Sequence, residues 1–259
     1  MSIFDAVILG IVEGLTEFLP VSSTGHLILV STLLGIPQSS FNKTFEIVIQ
    51  LGAILSVVFL YFNRIKNSFE LNKKIIAAFI PTGIIGFVLY KIIKQYLFNP
   101  YIVVTSLIVG GVFIIIIEKI MSSKSAVIDK MENVSYKKSV FIGVMQSLAV
   151  IPGTSRSAAT IIGGLFAGMD RKTAVEFSFL LAIPTMFAAT GYDLLKSGVH
   201  LDASQWHLIA IGFIVSFLSA VAAVKSFIAF ISRFNLISFG VYRIIIGVLF
   251  LFLVLKVNI

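Results

Sequence analysis

Only twelve acidic residues occur in this 259-residue chain, and two of them, Glu13 and Glu17, stand four apart inside an apolar stretch. On a helix that spacing puts both carboxylates on one face. Adjacent anions in a poorly hydrated place cannot both stay ionised unless a cation lies between them or one takes a proton. A donor set made only of oxygens suits magnesium or calcium rather than zinc. The plain alternative is a pair of helix-end glutamates facing water. Next along the chain comes Ser22-Ser-Thr-Gly-His26. It combines hydroxyls, a glycine that lets the backbone come close, and an imidazole, all of which suit phosphate handling. Serine attacks phosphorus once a base takes its proton, and His26 is the only nearby histidine. A serine-rich turn alone carries little weight, because these residues favour turns anyway. A second polar run, Pro152-Gly-Thr-Ser-Arg-Ser-Ala-Ala-Thr160, adds a permanent cation. The planar fork of Arg156 matches phosphate oxygens, and a helix starting there would offer its N-terminal amides to an anion.

Composition says where this chemistry sits. Hydrophobic residues make up 58% of the chain and charged ones 12%, against about 25% charged in soluble domains. One core could not hide so much apolar surface, so lipid must cover it. No stretch is polar enough for a separate soluble domain, and residues 1–259 read as one membrane domain. The N-terminus lacks the basic region of a signal peptide, so no cleavage is expected. Cysteine is absent, which excludes disulfides and thiolate metal sites. The net charge of +8 does not point to nucleic acid, because the Lys and Arg residues sit mainly at the ends of apolar segments. Membrane lipids with anionic headgroups are the expected partners.

The positioning elements follow from segment length. Six stretches reach the about 20 apolar residues of a spanning helix: roughly 44–62, 75–93, 101–119, 174–192, 206–224 and 236–255. Two others, about 3–34 and 139–169, are broken in the middle by Pro20-Val-Ser-Ser-Thr-Gly-His26 and Pro152-Gly-Thr-Ser-Arg-Ser157. Proline and glycine end a helix, and neither arm is long enough to span. Both read as re-entrant helical hairpins, whose irregular backbone must be buried in protein or line a cavity. The broken stretches also resemble each other: Gly10-Ile-Val-Glu-Gly-Leu15 aligns with Gly143-Val-Met-Gln-Ser-Leu148. The expected fold is therefore an all-α polytopic membrane protein. It has six transmembrane helices plus two re-entrant hairpins, in an inverted-topology repeat of about 3–120 and 139–255. With both termini outside, twelve Lys and Arg residues fall in the inside loops 63–74, 120–138, 169–173 and 225–235, and five outside. That bias supports the orientation. It puts Ser68 and Ser125 inside, and Ser39 and Ser197 outside.

Glu13-Gly-Leu-Thr-Glu-Phe-Leu-Pro-Val-Ser-Ser-Thr-Gly-His26, together with Pro152-Gly-Thr-Ser-Arg-Ser157 and Thr160, resembles the two signature motifs of the bacterial undecaprenyl-diphosphate phosphatases, the bacitracin-resistance family. The resemblance runs nearly end to end, through Phe45-Glu-Ile-Val-Ile-Gln-Leu-Gly52, Gln146-Ser-Leu-Ala149 and Glu176-Phe-Ser-Phe-Leu-Leu-Ala-Ile-Pro184. It implies removal of the terminal phosphate of undecaprenyl diphosphate at the outer face of the bacterial inner membrane, with dependence on a divalent cation. It also implies residue roles. Glu13 and Glu17 would hold the metal, Ser23 or His26 would make or assist the attack, with water as the remaining candidate nucleophile, and Arg156 would clamp the diphosphate. Ser22, Thr24, Gln50, Gln146, Gly153, Thr154, Ser155, Ser157 and Thr160 would contact substrate. Ala158 departs from the pattern, since many relatives have glycine there.

Two rival readings remain. The other large family of membrane lipid phosphatases needs a late catalytic histidine spaced from an arginine, and His200 and His207 lack that spacing. A polyprenyl-phosphate transporter or flippase would share the inverted repeat, because fold does not decide function. Gly164-Leu-Phe-Ala-Gly168 would suit a homodimer contact, though in a multispan chain it more often packs internally.

Overall fold

The computed structural model describes residues 1–37, 39–92, 99–121, 126–197 and 205–257. Ser125 and His200 lie outside the described residues. Those described form α-helices and short 3-10 turns, with one isolated bridge between Ile128 and Met169. In chain order the helices are α1 (Ile3–Thr16), α2 (Ser23–Leu33), α3 (Ser40–Leu60), α4 (Phe62–Asn67), α5 (Phe69–Ile92) and α6 (Pro100–Met121). After them come α7 (Tyr136–Gln146), α8 (Arg156–Phe166), α9 (Arg171–Ser197), α10 (Trp206–Ile231) and α11 (Ile237–Val257).

Six of these, α3, α5, α6, α9, α10 and α11, are long and apolar enough to cross a membrane. They coincide with the six stretches expected from hydropathy, and the protein is an all-α, multi-pass membrane protein. Large side chains such as Phe59, Phe87 and Phe252 are about two-thirds exposed (66%, 68% and 66%), a cost that only lipid removes. By contrast α1, α2, α7 and α8 have 14, 11, 11 and 11 residues, short of the about 20 a span requires. The breaks between them are narrower than the polar runs implied. Thr24, Gly25 and His26 already belong to the first turn of α2, and Ser157 to that of α8.

Packing interleaves the two halves. α1 lies against α10, α7 against α5, and α3 against both α9 and α10, while α6 pairs with α11. Two aligned glycines permit the first two contacts. A Cβ on Gly10 would come within 2.8 Å of the Gly212 carbonyl oxygen of α10, and one on Gly143 would overlap the Ala78 carbonyl of α5. Gly164 packs against Ala174 of α9, so it serves internal packing. At one end of the bundle, Arg64 pairs with Glu132 (2.9 Å) and Glu176 (3.4 Å), Lys74 Nζ donates to the Glu132 carbonyl (2.8 Å), and Arg171 Nε donates to Glu118 (2.6 Å). Basic segments expected on one side of the membrane thus meet at one end of the molecule.

Candidate active site

The site is built where α1 and α7 stop. α1 ends at Thr16 with Glu17 as its C-cap, Pro20 sits in the turn that follows, and the chain re-enters a helix at Ser23. Ser22 caps α2 with φ 72° and ψ 93°, and its Oγ accepts from the Gly25 amide (3.4 Å). In the second half Ser155 caps α8 with φ 73° and ψ 114°, and its Oγ accepts from the Ala158 amide (3.2 Å). Among the described residues these are the only non-glycine residues at positive φ. Such a backbone costs about 1–3 kcal/mol and persists only where the surroundings enforce it. Two helix N-termini with the same capping geometry therefore line one cavity of about 510 Å³, along with Glu17, Ser23 and Arg156. Amides and dipoles at helix starts favour an anion there.

Glu17 is the hub. Its Oε2 accepts from Ser23 Oγ at 2.6 Å and its Oε1 accepts from Arg156 Nη2 at 2.9 Å. Both charged partners are almost wholly buried, with side chains 4% and 9% exposed. Arg156 Nη1 donates to the Ser178 carbonyl (3.1 Å), its guanidinium carbon lies 5.8 Å from the centre of the Phe18 ring, and its buried Nε has no partner among the described residues. Glu17 can therefore orient a serine hydroxyl and accept its proton, while Arg156 brings its positive charge to the cavity wall.

The other candidates divide into walls and supports. Ser22, Thr24, Gln50, Gln146, Gly153 and Ser155 line the cavity, whereas Thr154, Ser157 and Thr160 do not. Ser157 Oγ donates to the Leu19 carbonyl (2.6 Å) and so ties one turn to the other. Thr160 Oγ1 lies 2.5 Å from Ser178 Oγ, beneath Arg156. The Thr154 carbonyl accepts from Arg243 (2.9 Å). These three hydroxyl residues hold the scaffold rather than face the cavity.

His26 departs from the expected pairing with Ser23. Its Nδ1–H donates to the Ser22 carbonyl (2.8 Å), and its Nε2 meets the Tyr242 hydroxyl (2.8 Å), whose ring stacks on the imidazole at 5.5 Å. Position 26 lies one turn into α2, which directs the ring back to the N-cap and toward α11 instead of into the cavity. Glu13 is fully buried one turn before Glu17, and neither carboxylate oxygen has a donor among the described residues. Its counterpart in the aligned half, Gln146, is satisfied by Thr82 (2.9 Å) and Thr185 (3.0 Å). An orphaned buried carboxylate fits a bound cation. Among the described residues, however, no cluster of three or more His, Asp or Glu side chains could hold a metal by itself.

Several partners escaped the sequence reading. Thr82 and Thr185 each follow a proline inside a long helix, α5 and α9, and those two Pro-Thr pairs were a usable signal. Arg243 offered another, as a cation in the middle of an apolar segment. Ser178 and Tyr242 gave none.

Known proteins add an independent line. Residues 6–249 match the family described as bacitracin resistance protein BacA. A protein of Persephonella marina named undecaprenyl-diphosphatase is 59% identical over 255 residues, covering 98% of this chain and 100% of its own. Proteins of the same name from Wolinella succinogenes and Aquifex aeolicus are 56% and 55% identical over 252 and 251 residues, covering 97% and 96% of this chain and 98% of each relative. On that coverage and identity, the chain belongs to the bacitracin resistance protein BacA family.

Proposed function

We infer that the chain is an undecaprenyl-diphosphatase, an enzyme that hydrolyses undecaprenyl diphosphate to undecaprenyl phosphate and inorganic phosphate. The relatives carry a hydrolase's name, so the transporter alternative is set aside. The observation that carries the reading is the Ser23–Glu17–Arg156 chain of hydrogen bonds on the wall of a cavity set among membrane helices.

The geometry suggests a two-step transfer. Ser23 Oγ attacks the terminal phosphorus as its proton passes to Glu17, and the bond from that phosphorus to the bridging oxygen breaks, releasing the lipid monophosphate. Water then cleaves the serine phosphate, and Glu17 in its alternating role handles the protons. Arg156 and the amides at the starts of α2 and α8 hold the non-bridging oxygens. Phosphoryl transfer depends mainly on such positioning and charge neutralisation. Glu13, with Glu17 beside it, would hold magnesium or calcium, and the cation when bound would offset charge on the diphosphate. Thr24, Gln50 and Gln146 are further contacts along the cavity.

The rest of the cavity suits the lipid part. Phe79, Phe87, Met186 and Tyr192 of α5 and α9 form its apolar side, where the first isoprene units would lie while the tail stays in the bilayer. The cavity reaches Tyr90 and Asp193, near the ends of α5 and α9 remote from the basic cluster at Arg64 and Arg171. Under the positive-inside rule that supports a site opening to the outer side of the bacterial inner membrane. The short pairs α1–α2 and α7–α8 would then be re-entrant, in two inversely oriented repeats. Matching Ser22 and Ser155 geometry and the Gly10 and Gly143 contacts support this.

The deciding experiment is phosphate release from undecaprenyl diphosphate by the detergent-solubilised protein, where transport has no meaning. Lipid diphosphates of several chain lengths, with and without a chelator, complete it. Release that is fastest with the long chain and abolished by the chelator is the expected result, and no release from any of them overturns the reading.

A further inference from the structure

Arg243, in α11, is far from the motifs in sequence and is completely buried. Its guanidinium reaches five backbone carbonyls. Nε points to Leu107 O (3.4 Å), Nη1 to Pro20 O (3.3 Å) and Thr154 O (2.9 Å), and Nη2 to Ser106 O (2.9 Å) and Gly153 O (2.8 Å). Five N–H groups are all an arginine owns, so the inventory is complete. No carboxylate pairs with it among the described residues. Burying a cation against dipoles alone is costly, and an apolar residue could have filled the same space. The choice of acceptors explains why it is there.

Three of the five carbonyls, those of Pro20, Gly153 and Thr154, belong to the two turns that precede Ser22 and Ser155. We propose that Arg243 is a positioning residue for the reaction inferred above, one cation that fixes both catalytic turns in register with each other. It is not among the residues that line the cavity, so the carbonyls it holds are engaged away from the substrate's oxygens. The peptide planes of the turns are thereby committed, carbonyl toward Arg243, and the chain must then turn through the left-handed region at Ser22 and Ser155 to begin α2 and α8. Ser23 comes from one turn and Arg156 from the other, and Glu17 can bridge them only while the turns stay in this relation. The berth is prepared as well, since a Cβ on Gly110 of α6 would collide with Arg243 Nη2.

The test uses two variants that disturb the same group differently. Arg243→Lys keeps the charge but has three donors for five carbonyls, while Gly110→Ala keeps the arginine and crowds its head. Turnover per folded molecule, melting and amide hydrogen exchange are measured for both and for the wild type. In Arg243→Lys, kcat falls about tenfold or more while KM stays within about threefold, since the loss is one of transition-state geometry. In Gly110→Ala, kcat falls in the same direction, and combining the two changes adds less than about twofold to the lysine variant's loss. Peptides covering 18–24 and 150–157 exchange faster in both variants, with α10 unchanged. An arginine that merely fills space would instead give uniformly faster exchange and lower melting, with turnover per folded molecule intact. Wild-type turnover in both variants, or wild-type exchange in both turns, overturns the proposal. Should the wild type itself release no phosphate, the phosphatase reading falls, and the exchange data alone still decide whether Arg243 holds the turns.

Discussion

Ser23 Oγ donates a 2.6 Å hydrogen bond to Glu17 Oε2, so the carboxylate that ends α1 holds the first hydroxyl of α2. The same carboxylate bonds Arg156 from the other half of the chain, which makes it the point where the two motifs join. Glu17→Gln keeps the side chain's size but removes the proton acceptor and the ion pair. Phosphate release per folded molecule is expected to fall about a thousandfold, within the range of a lost general base. Ser23→Ala should match it, and the double variant should be no worse, because residues acting as a unit are not additive. A Ser23→Ala enzyme within tenfold of wild type would remove serine from the role of nucleophile.

Arg156→Lys separates clamp from strut. Lysine keeps the charge but cannot serve Glu17, Ser178 and a phosphate oxygen with one planar fork. Turnover should drop about tenfold or more, on the order of 1.4 kcal/mol of barrier, and Arg156→Ala should drop further. Detergent-phase melting measured alongside activity checks this: a stable, fully active lysine variant defeats the clamp.

His26 is expected to matter less than its place in the motif suggests. Because its ring spans the Ser22 carbonyl and the Tyr242 hydroxyl, its loss loosens Ser22 without removing a reacting group. His26→Ala should retain activity well above Ser23→Ala, and Tyr242→Phe should stay within about threefold of wild type, the size of one lost neutral hydrogen bond. Equal inactivation of His26→Ala and Ser23→Ala would put the imidazole back into the chemistry.

Glu13 is the test of the cation. With two buried oxygens and no donor among the described residues, its carboxyl must either take a proton or meet a bound cation. Glu13→Gln should lower activity and raise the magnesium concentration needed for half-maximal rate by about tenfold or more. A magnesium titration identical to wild type would show that the ion is held elsewhere.

Orientation can be read in cells. The protein has no cysteine, so Cys introduced singly at Ser39 and Ser68 gives a clean report with an impermeant thiol reagent. Labelling is expected at position 39 and not at 68. The reverse would place the cavity mouth on the cytoplasmic side.

The spans were legible because hydropathy and length report on lipid directly: the stretch expected at 101–119 is α6, Pro100–Met121. Which residues line the cavity was legible only in part: Glu17, Ser23 and Arg156 do, whereas His26, Thr154, Ser157 and Thr160 do not. The wiring was not. Ser23 and His26 are three apart and suggested a pair, but the helix begins at Ser23 and turns the imidazole toward Tyr242, 216 residues away. The spacing of Glu13 and Glu17 pointed to a shared cation, but not to the bonds that Glu17 makes to Ser23 and Arg156. Arg243 offered only the signal of a charge in an apolar run, because its carbonyl partners carry no side-chain signature.

The crossing of the two halves has a consequence for biogenesis. α1 finds its main packing surface on α10, and α7 finds its own on α5. During synthesis α1 must therefore wait about 200 residues, on the order of ten seconds or more at ordinary elongation rates, before α10 exists. Until then Glu13 and Glu17 sit on a segment too short to span, sheltered only by the smaller contacts of α1 with α2 and α3. Neither half can complete itself alone, so the carboxylates and the serine of the first half settle against the arginine of the second only once α10 has been made. Two fragments divided between α6 and α7 would regain the site only when made together.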